Sequence, residues 1–218
     1  MFDVHPPGTS IKGWREFFIH LATITVGLLI ALGLEGTVEW LHHRHVMHQA
    51  QASLFIEIKT NAESIQRKIA SIEKHQAELA HVIEVLKRII ADPNGPQQET
   101  MTVLMDITSF DNVSWATAQS TGAVTYMPYS VARQYADIYS QQAEIDAQVH
   151  EAIRDFSLTI APLLNAKKGD KLIDDVVEAK LMREHVEALQ GQLYLVGSLM
   201  HSMDNLYKKF LAEHTGTH

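Results

Sequence analysis

Residues 17–34, FFIHLATITVGLLIALGL, carry no acidic or basic side chain other than His20. Wound as an α-helix at ~1.5 Å per residue, such a run covers roughly 27 Å, close to the hydrocarbon thickness of a bilayer. The helix of a soluble core usually has an apolar run nearer about 10–14 residues, so a membrane span explains the length better. Trp14 and Trp40 flank the run where the aromatic belts of a spanning helix sit. A cleaved signal peptide is the rival, because Ala31-Leu32-Gly33 loosely fits a small-x-small cleavage site. Against it, the leading segment balances Asp3 and Glu16 with Lys12 and Arg15, and the helical pattern continues past Gly33. The expected layout is a short N-terminal segment at 1–16, a transmembrane helix at 17–36 and a water-soluble domain at 37–218.

Orientation follows from the flanking cations. Lys12 and Arg15 precede the span, and only Arg44 lies within ~15 residues after it. The bias predicts a cytoplasmic N-terminus and an exported C-terminal domain, which in a bacterium means the inner membrane and the periplasm.

Beyond the membrane the period stays helical. Phe55, Ile58, Ala62, Ile65, Ile69, Ile72, Leu79, Ile83, Leu86 and Ile90 alternate steps of three and four, interrupted only at Gln76. No Pro or Gly occurs from Thr37 to Ala91, so one helix over about 37–91 is expected, continuous with the membrane helix. Asp92-Pro93-Asn94-Gly95-Pro96 stops it, because proline lacks a donor and Asn-Gly favours a turn. Short helices are expected within 97–127, one near 99–107 and one capped by Asn112-Val113-Ser114, with a break at Thr121-Gly122.

A second long helix, about 128–165, opens on Pro128 and has the seam Val131, Tyr135, Ile138, Ile145, Val149, Ala152, Phe156, Ile160 and Leu163. A turn over 165–169 and a cap at Asp170 lead to a third, about 170–213. Its seam is Leu172, Val176, Ala179, Val186, Leu189, Leu193, Val196, Met200, Met203, Tyr207 and Phe210. Three amphipathic helices joined by compact connections bury their seams together. The expected fold is all-α: an antiparallel up-down-up bundle with short extra helices.

Charge and composition narrow the partners. The net charge is −8, and the leading segment is neutral, so the excess lies in the soluble domain. An acidic domain lacks the basic face that nucleic acid requires. The absence of cysteine removes disulfides, thiolate metal sites and thiol nucleophiles. No Gly-rich phosphate loop, G-x-S-x-G elbow, H-E-x-x-H or paired Glu-x-x-His occurs. The chain reads as non-enzymatic, and no cofactor is called for.

Three features stand out as candidate sites. Glu39, His42, His45 and His48, with His43 beside them, bring imidazoles and a carboxylate to one stretch of helix, a donor set that suits zinc or a similar divalent ion. A polar collar at headgroup level is the plainer explanation. His20 and Glu35 are ionisable groups at the two membrane edges, where such groups guide cations or protons or simply mark the boundary. Thr23, Gly27 and Ala31 recur every fourth residue, a small-xxx-small face that lets a second membrane helix approach. Trp115, Tyr126, Tyr135 and Tyr139 are expected near one bundle end, as core or as the lining of a pocket.

Gly13-Trp14-Arg15-Glu16-Phe17-Phe18 with the following HLATITVGLLIALGLE, and Trp115-Ala116-Thr117-Ala118 with Ser120-Thr121-Gly122-Ala123, Tyr135 and Tyr139, resemble a family of uncharacterised bacterial single-pass membrane proteins. The resemblance implies an N-terminal anchor carrying a helical domain and transfers no site residue.

These features favour an anchored helical interaction protein, a subunit or scaffold of a larger membrane assembly. Its partners would be the lipid bilayer and other membrane helices, in a homo-oligomer or a hetero-complex. An extracytoplasmic ligand-sensing bundle acting through a partner is the first alternative. Metal or ion handling at the His/Glu cluster is the second.

Overall fold

The computed structural model describes residues 13–96, 101, 105–165, 173 and 175–214. These residues are all-α. Helix α1 runs Trp14–Ala91, α2 Val113–Ser120, a 3-10 turn Ala123–Tyr126, α3 Tyr129–Asn165 and α4 Val176–His214. No strand occurs among the described residues. Two compact units divide the chain, Met1–Gln49 and Ala50–His218, and α1 contributes to both.

In the first unit α1 begins after Gly13, whose φ of +106° suits only glycine and whose carbonyl accepts from Glu16 N at 3.1 Å. Trp14, Phe17 and Phe18 cluster on this first turn, with ring centroids 5.5–6.4 Å apart. Helix continues through the apolar run, and every side chain from Trp14 to His42 is exposed. Its most apolar 18-residue window has a mean hydropathy of 2.2 and no part buried, long and apolar enough to cross a membrane. The hydroxyls in this stretch bond to the helix itself. Thr23 Oγ1 donates to Ile19 O at 2.9 Å, Thr25 to Leu21 O at 2.8 Å and Thr37 to Gly33 O at 2.7 Å. Their polar groups are thereby satisfied without water.

In the second unit the expected seams form the core. Ile58, Ile65, Ile69, Ile72, Leu79, Ile83 and Leu86 of α1 are buried, as are Tyr135, Ile138, Ile145, Val149 and Ala152 of α3. All α4 seam residues from Ala179 to Phe210 are buried too. Leu172 lies outside the described residues, and so does the side chain of Leu163. Two positions extend the seams beyond their apolar members. Met182 fills the gap between Ala179 and Val186, and Gln142 fills the gap between Ile138 and Ile145. Gln142 is only 2 % exposed and donates through Nε2 to Tyr207 Oη at 2.7 Å. A polar pair inside an apolar seam costs stability unless both helices keep this register.

Contacts between helices set their directions. Along α1 and α4, Phe55 meets Phe210, Gln66 Nε2 donates to Asp204 Oδ2 at 2.8 Å, and a carbon added to Gly197 would lie 3.5 Å from Ile72 Cγ2. Along α3 and α4, Tyr135 meets Phe210 and Gln141 Nε2 donates to Ser202 Oγ at 3.0 Å. Helix α4 is therefore antiparallel to both, and α1 and α3 run the same way. The expected up-down-up order becomes up-up-down. The chain returns between α1 and α3 through an extended segment, 105–112, instead of through a long helix.

Element ends differ in detail. The helix expected near 99–107 is absent at Met101 and over 105–107, and its other positions lie outside the described residues. The third long helix begins at Val176 rather than near 170, because Ile173 and Asp175 are not helical and Asp175 Oδ1 accepts from Val177 N at 3.1 Å. Asp170 and the turn residues 166–169 lie outside the described residues. Pro128 sits just before α3, its carbonyl accepting from Val131 N and Ala132 N at 2.9 and 3.0 Å. Gly122 breaks the chain as expected, with φ of +73°.

Candidate functional site

Beside its apolar seam, α1 carries a polar line: Glu57, Asn61, Lys68, Ser71 and His75. Steps of four, seven, three and four keep all five on one side of the helix. This line holds the extended segment 105–112, which descends along α1, and it does so mainly through that segment's backbone.

At the first station Asp106 N donates to His75 Nε2 at 3.1 Å, and Ser71 Oγ donates to Asp106 O at 3.0 Å. A backbone N–H cannot accept, so Nε2 keeps its lone pair and the ring proton of the neutral imidazole sits on Nδ1. From there it is shared with Glu78 Oε2 at 3.1 Å. At the second station Lys68 Nζ donates to Thr108 O, Thr108 Oγ1 and Ser109 O at 2.7–2.8 Å. At the third, Asn61 Nδ2 donates to Asp111 O at 2.8 Å while Asp111 N donates to Asn61 Oδ1 at 3.1 Å. One side-chain amide thus reads both backbone groups of one residue, as a neighbouring strand would. At the fourth, Ser114 N donates to Glu57 Oε2 at 2.7 Å.

That last contact explains how α2 starts. Asn112 occupies the N-cap position but makes no side-chain cap bond. The first-turn N–H of Ser114 finds its acceptor on another helix, where the carboxylate also suits the positive helix end. Glu57 Oε1 accepts in turn from Tyr139 Oη at 2.6 Å, and Trp115 stacks on Tyr139 at 5.0 Å with the rings 4° from parallel. Burial, then the hydrogen bond to Glu57, raises the Tyr139 hydroxyl far above the usual phenol range. It stays protonated and acts as a fixed donor. Trp115, Tyr135 and Tyr139 are packing residues here, while Tyr126 is exposed.

Phe110 is the segment's anchor. It is 5 % exposed, meets Tyr207 edge-on at 6.0 Å, and has Lys68 Nζ 5.1 Å from its ring centre. Behind it stands Asp146 of α3, close enough to Ser109 and Phe110 for both to act on its carboxyl, with its Oδ1 buried and without a hydrogen-bond partner among the described residues. Burial raises the Asp146 pKa, opposed by Ser109, His150 and Lys68. Burial lowers that of Lys68, opposed by Asp111 and Asp146. A cation on α1 that takes carbonyls and a carboxyl group on α3 thus flank the tripeptide 108–110. Next to this grip lies an open cleft of about 210 Å³ lined by Ser64, Arg67, Lys68, Ser71, Asp106, Ile107 and Thr108.

The residues singled out in the sequence lie elsewhere, on the first unit of α1. Glu39 pairs with His43 at 3.8 Å, and the His42 and His43 rings are 6.1 Å apart. Arg44 donates to His48 Nε2 at 3.4 Å and lies 5.4 Å from the Trp40 ring centre. His45 is exposed, as are His20, Glu35, Thr23, Gly27 and Ala31. Among the described residues no group of three or more His, Cys, Asp or Glu is placed to hold a metal ion.

The polar line was not singled out, although its signal is present in the sequence. Glu57, Asn61, Ser64, Lys68, Ser71 and His75 repeat at heptad spacing one position from the apolar seam. What the spacing lacks is any sign of the occupant. No family model, no curated protein and no solved structure matches this chain.

Proposed function

We propose that the protein is a single-pass, membrane-anchored interaction protein, a non-enzymatic subunit or scaffold of a larger membrane assembly. The observation that carries the reading is the contrast within α1. Its apolar window has no surface buried, while the residues after Ala50 close a core of their own. An apolar helix with nothing covering it belongs in lipid or against other membrane helices. Among the described residues the bundle's seams are filled by its own helices and its polar line is taken up by its own backbone. Such a bundle is suited to presenting a surface.

The anchor lies in a bacterial inner membrane with the N-terminus cytoplasmic and the bundle periplasmic, as Lys12 and Arg15 against Arg44 favour. Thr23, Gly27 and Ala31 form the face on which another membrane helix packs, and Glu39 with the His42–His48 cluster forms a collar at the headgroups.

The chain has no cysteine, which makes placement simple to test. A thiol at Ser198 should react with a membrane-impermeant maleimide from the periplasmic side, and one at Ser10 only after the inner membrane is opened. The reverse pattern would overturn the orientation. A monodisperse single chain recovered from native membranes in mild detergent, with no stoichiometric companion, would overturn the assembly role.

A further inference from the structure

The extended segment is held unlike the rest of the domain. Within the long helices backbone groups bond along their own helix, and apolar seams provide the cohesion. The described backbone bonds of Asp106, Thr108, Ser109 and Asp111 end on side chains of α1, and Phe110 is the buried apolar side chain of the segment. Asp106, Thr108, Ser109, Asp111 and Asn112 are exposed. The segment's ring contact with the α4 seam is the edge-on meeting of Phe110 with Tyr207.

We propose that segment 105–112 is a peptide docked in cis: a strap that opens as one unit while the three-helix core stays folded. The line from Glu57 to His75, with Asp146 opposite, is then a receptor for extended chain. The stations read backbone groups, so they set direction and register rather than sequence. Specificity comes from the aromatic anchor between Lys68 and Tyr207 and from the Thr108 hydroxyl at the Lys68 grip. The partner that fits is an extended peptide with the strap's own pattern of hydroxyl, hydroxyl, aromatic and acid, Thr108-Ser109-Phe110-Asp111. Recognition of a strand through its main chain, with a pocket for one side chain, is a recurrent way of binding peptides. This deepens the interaction reading and rests on it for its purpose, but the opening itself is independent of that reading.

Native-state hydrogen exchange on the full chain in detergent micelles tests it. The amides of Asp106, Asp111 and Ser114 should exchange together, at least about a hundredfold faster than those of Ile145, Val149 and Leu193, as a local opening requires. Lys68→Met keeps the stem and removes the cation. It should speed these three amides by about tenfold to a hundredfold, the range for hydrogen bonds to a charged group, and leave the core amides unchanged. A second measurement uses Phe110→Ala, which empties the anchor site but keeps the receptor. A fluorescent synthetic peptide of residues 105–114 should bind this chain, and the same peptide with alanine at 110 should not. Strap amides that exchange only at the rate of the core would overturn the proposal. So would a Phe110→Ala chain that stays folded, exchanges rapidly at Asp106 and Asp111, and ignores the peptide. A missing membrane partner would count against the assembly role without touching either result.

Discussion

Between Trp14 and Leu41, α1 turns bulky apolar side chains outward in every direction, with Phe17, Ile24, Leu29, Leu34 and Leu41 all exposed. From Leu54 to Ile89 the same helix sorts its residues: isoleucine and leucine on a buried seam, polar residues on a line beside it, charged residues elsewhere. Backbone geometry is common to both parts. On the proposed function, what differs is the solvent that each surface meets. Lipid-facing helix needs no apolar stripe, because hydrocarbon surrounds it on all sides, and its helix–helix contacts depend on small residues rather than on hydrophobic drive. Water-facing helix needs the stripe, because burial of apolar surface is its main source of cohesion.

The contrast can be broken most severely in the bundle. Leu193 is 1 % exposed in the α4 seam, and Leu193→Asp would place an unpaired charge there. The expected loss is about 4 kcal/mol or more, enough to unfold a domain of ordinary stability, read as collapse of the thermal transition of the full chain in micelles. A leucine-to-aspartate change that left the transition in place would show the seam is not what holds the helices.

A smaller effect is expected at Tyr139. Tyr139→Phe leaves Glu57 Oε1, in a residue 8 % exposed, without its 2.6 Å donor. The expected cost is about 1–3 kcal/mol by chemical denaturation, the range for a buried acceptor left unmade. Faster exchange at Ser114 would accompany it.

The Asp146 carboxyl gives a pH signature. Its pKa is raised in the fold, so the folded state holds its proton more tightly than the unfolded chain does. Its contribution to stability is therefore complete below the ordinary carboxylate range and is lost as pH rises through the raised value. Asp146→Asn should remove that downward slope, making the variant relatively more stable toward neutral pH than in acid. Parallel stability curves for variant and parent would refute the assignment.

The smallest effect on bundle stability is expected in the apolar first part of α1. Gly27 is exposed and nothing lies within 4 Å of a carbon added there. Gly27→Ile should leave the thermal transition unchanged but weaken association in the membrane, relative to Leu28→Ile as control. Equal association of the two variants would make the small face incidental.

How much of this was legible beforehand depended on whether a residue answers to its own helix or to a distant partner. The seam from Ile58 to Leu86 is a local pattern, repeated often enough to fix its phase, and the helix start at Pro128 and the break at Gly122 are local too. The strap was not legible. Its backbone is satisfied by Asn61, Lys68, Ser71 and His75, residues roughly 31–50 positions away. Without knowledge of that pairing, a helix near 99–107 was the natural expectation, and with it the up-down-up order. Gln142 was passed over for the same reason, since an amide in a seam makes sense only once Tyr207 stands opposite.

The most direct test of an anchor joined to a self-sufficient bundle is to delete residues 1–36 and follow where the remaining chain goes and what it keeps. The chain should leave the membrane pellet, stay strongly helical by far-UV circular dichroism, and unfold in one cooperative transition. A truncated chain that remained with the membranes, or lost most of its helix, would contradict it.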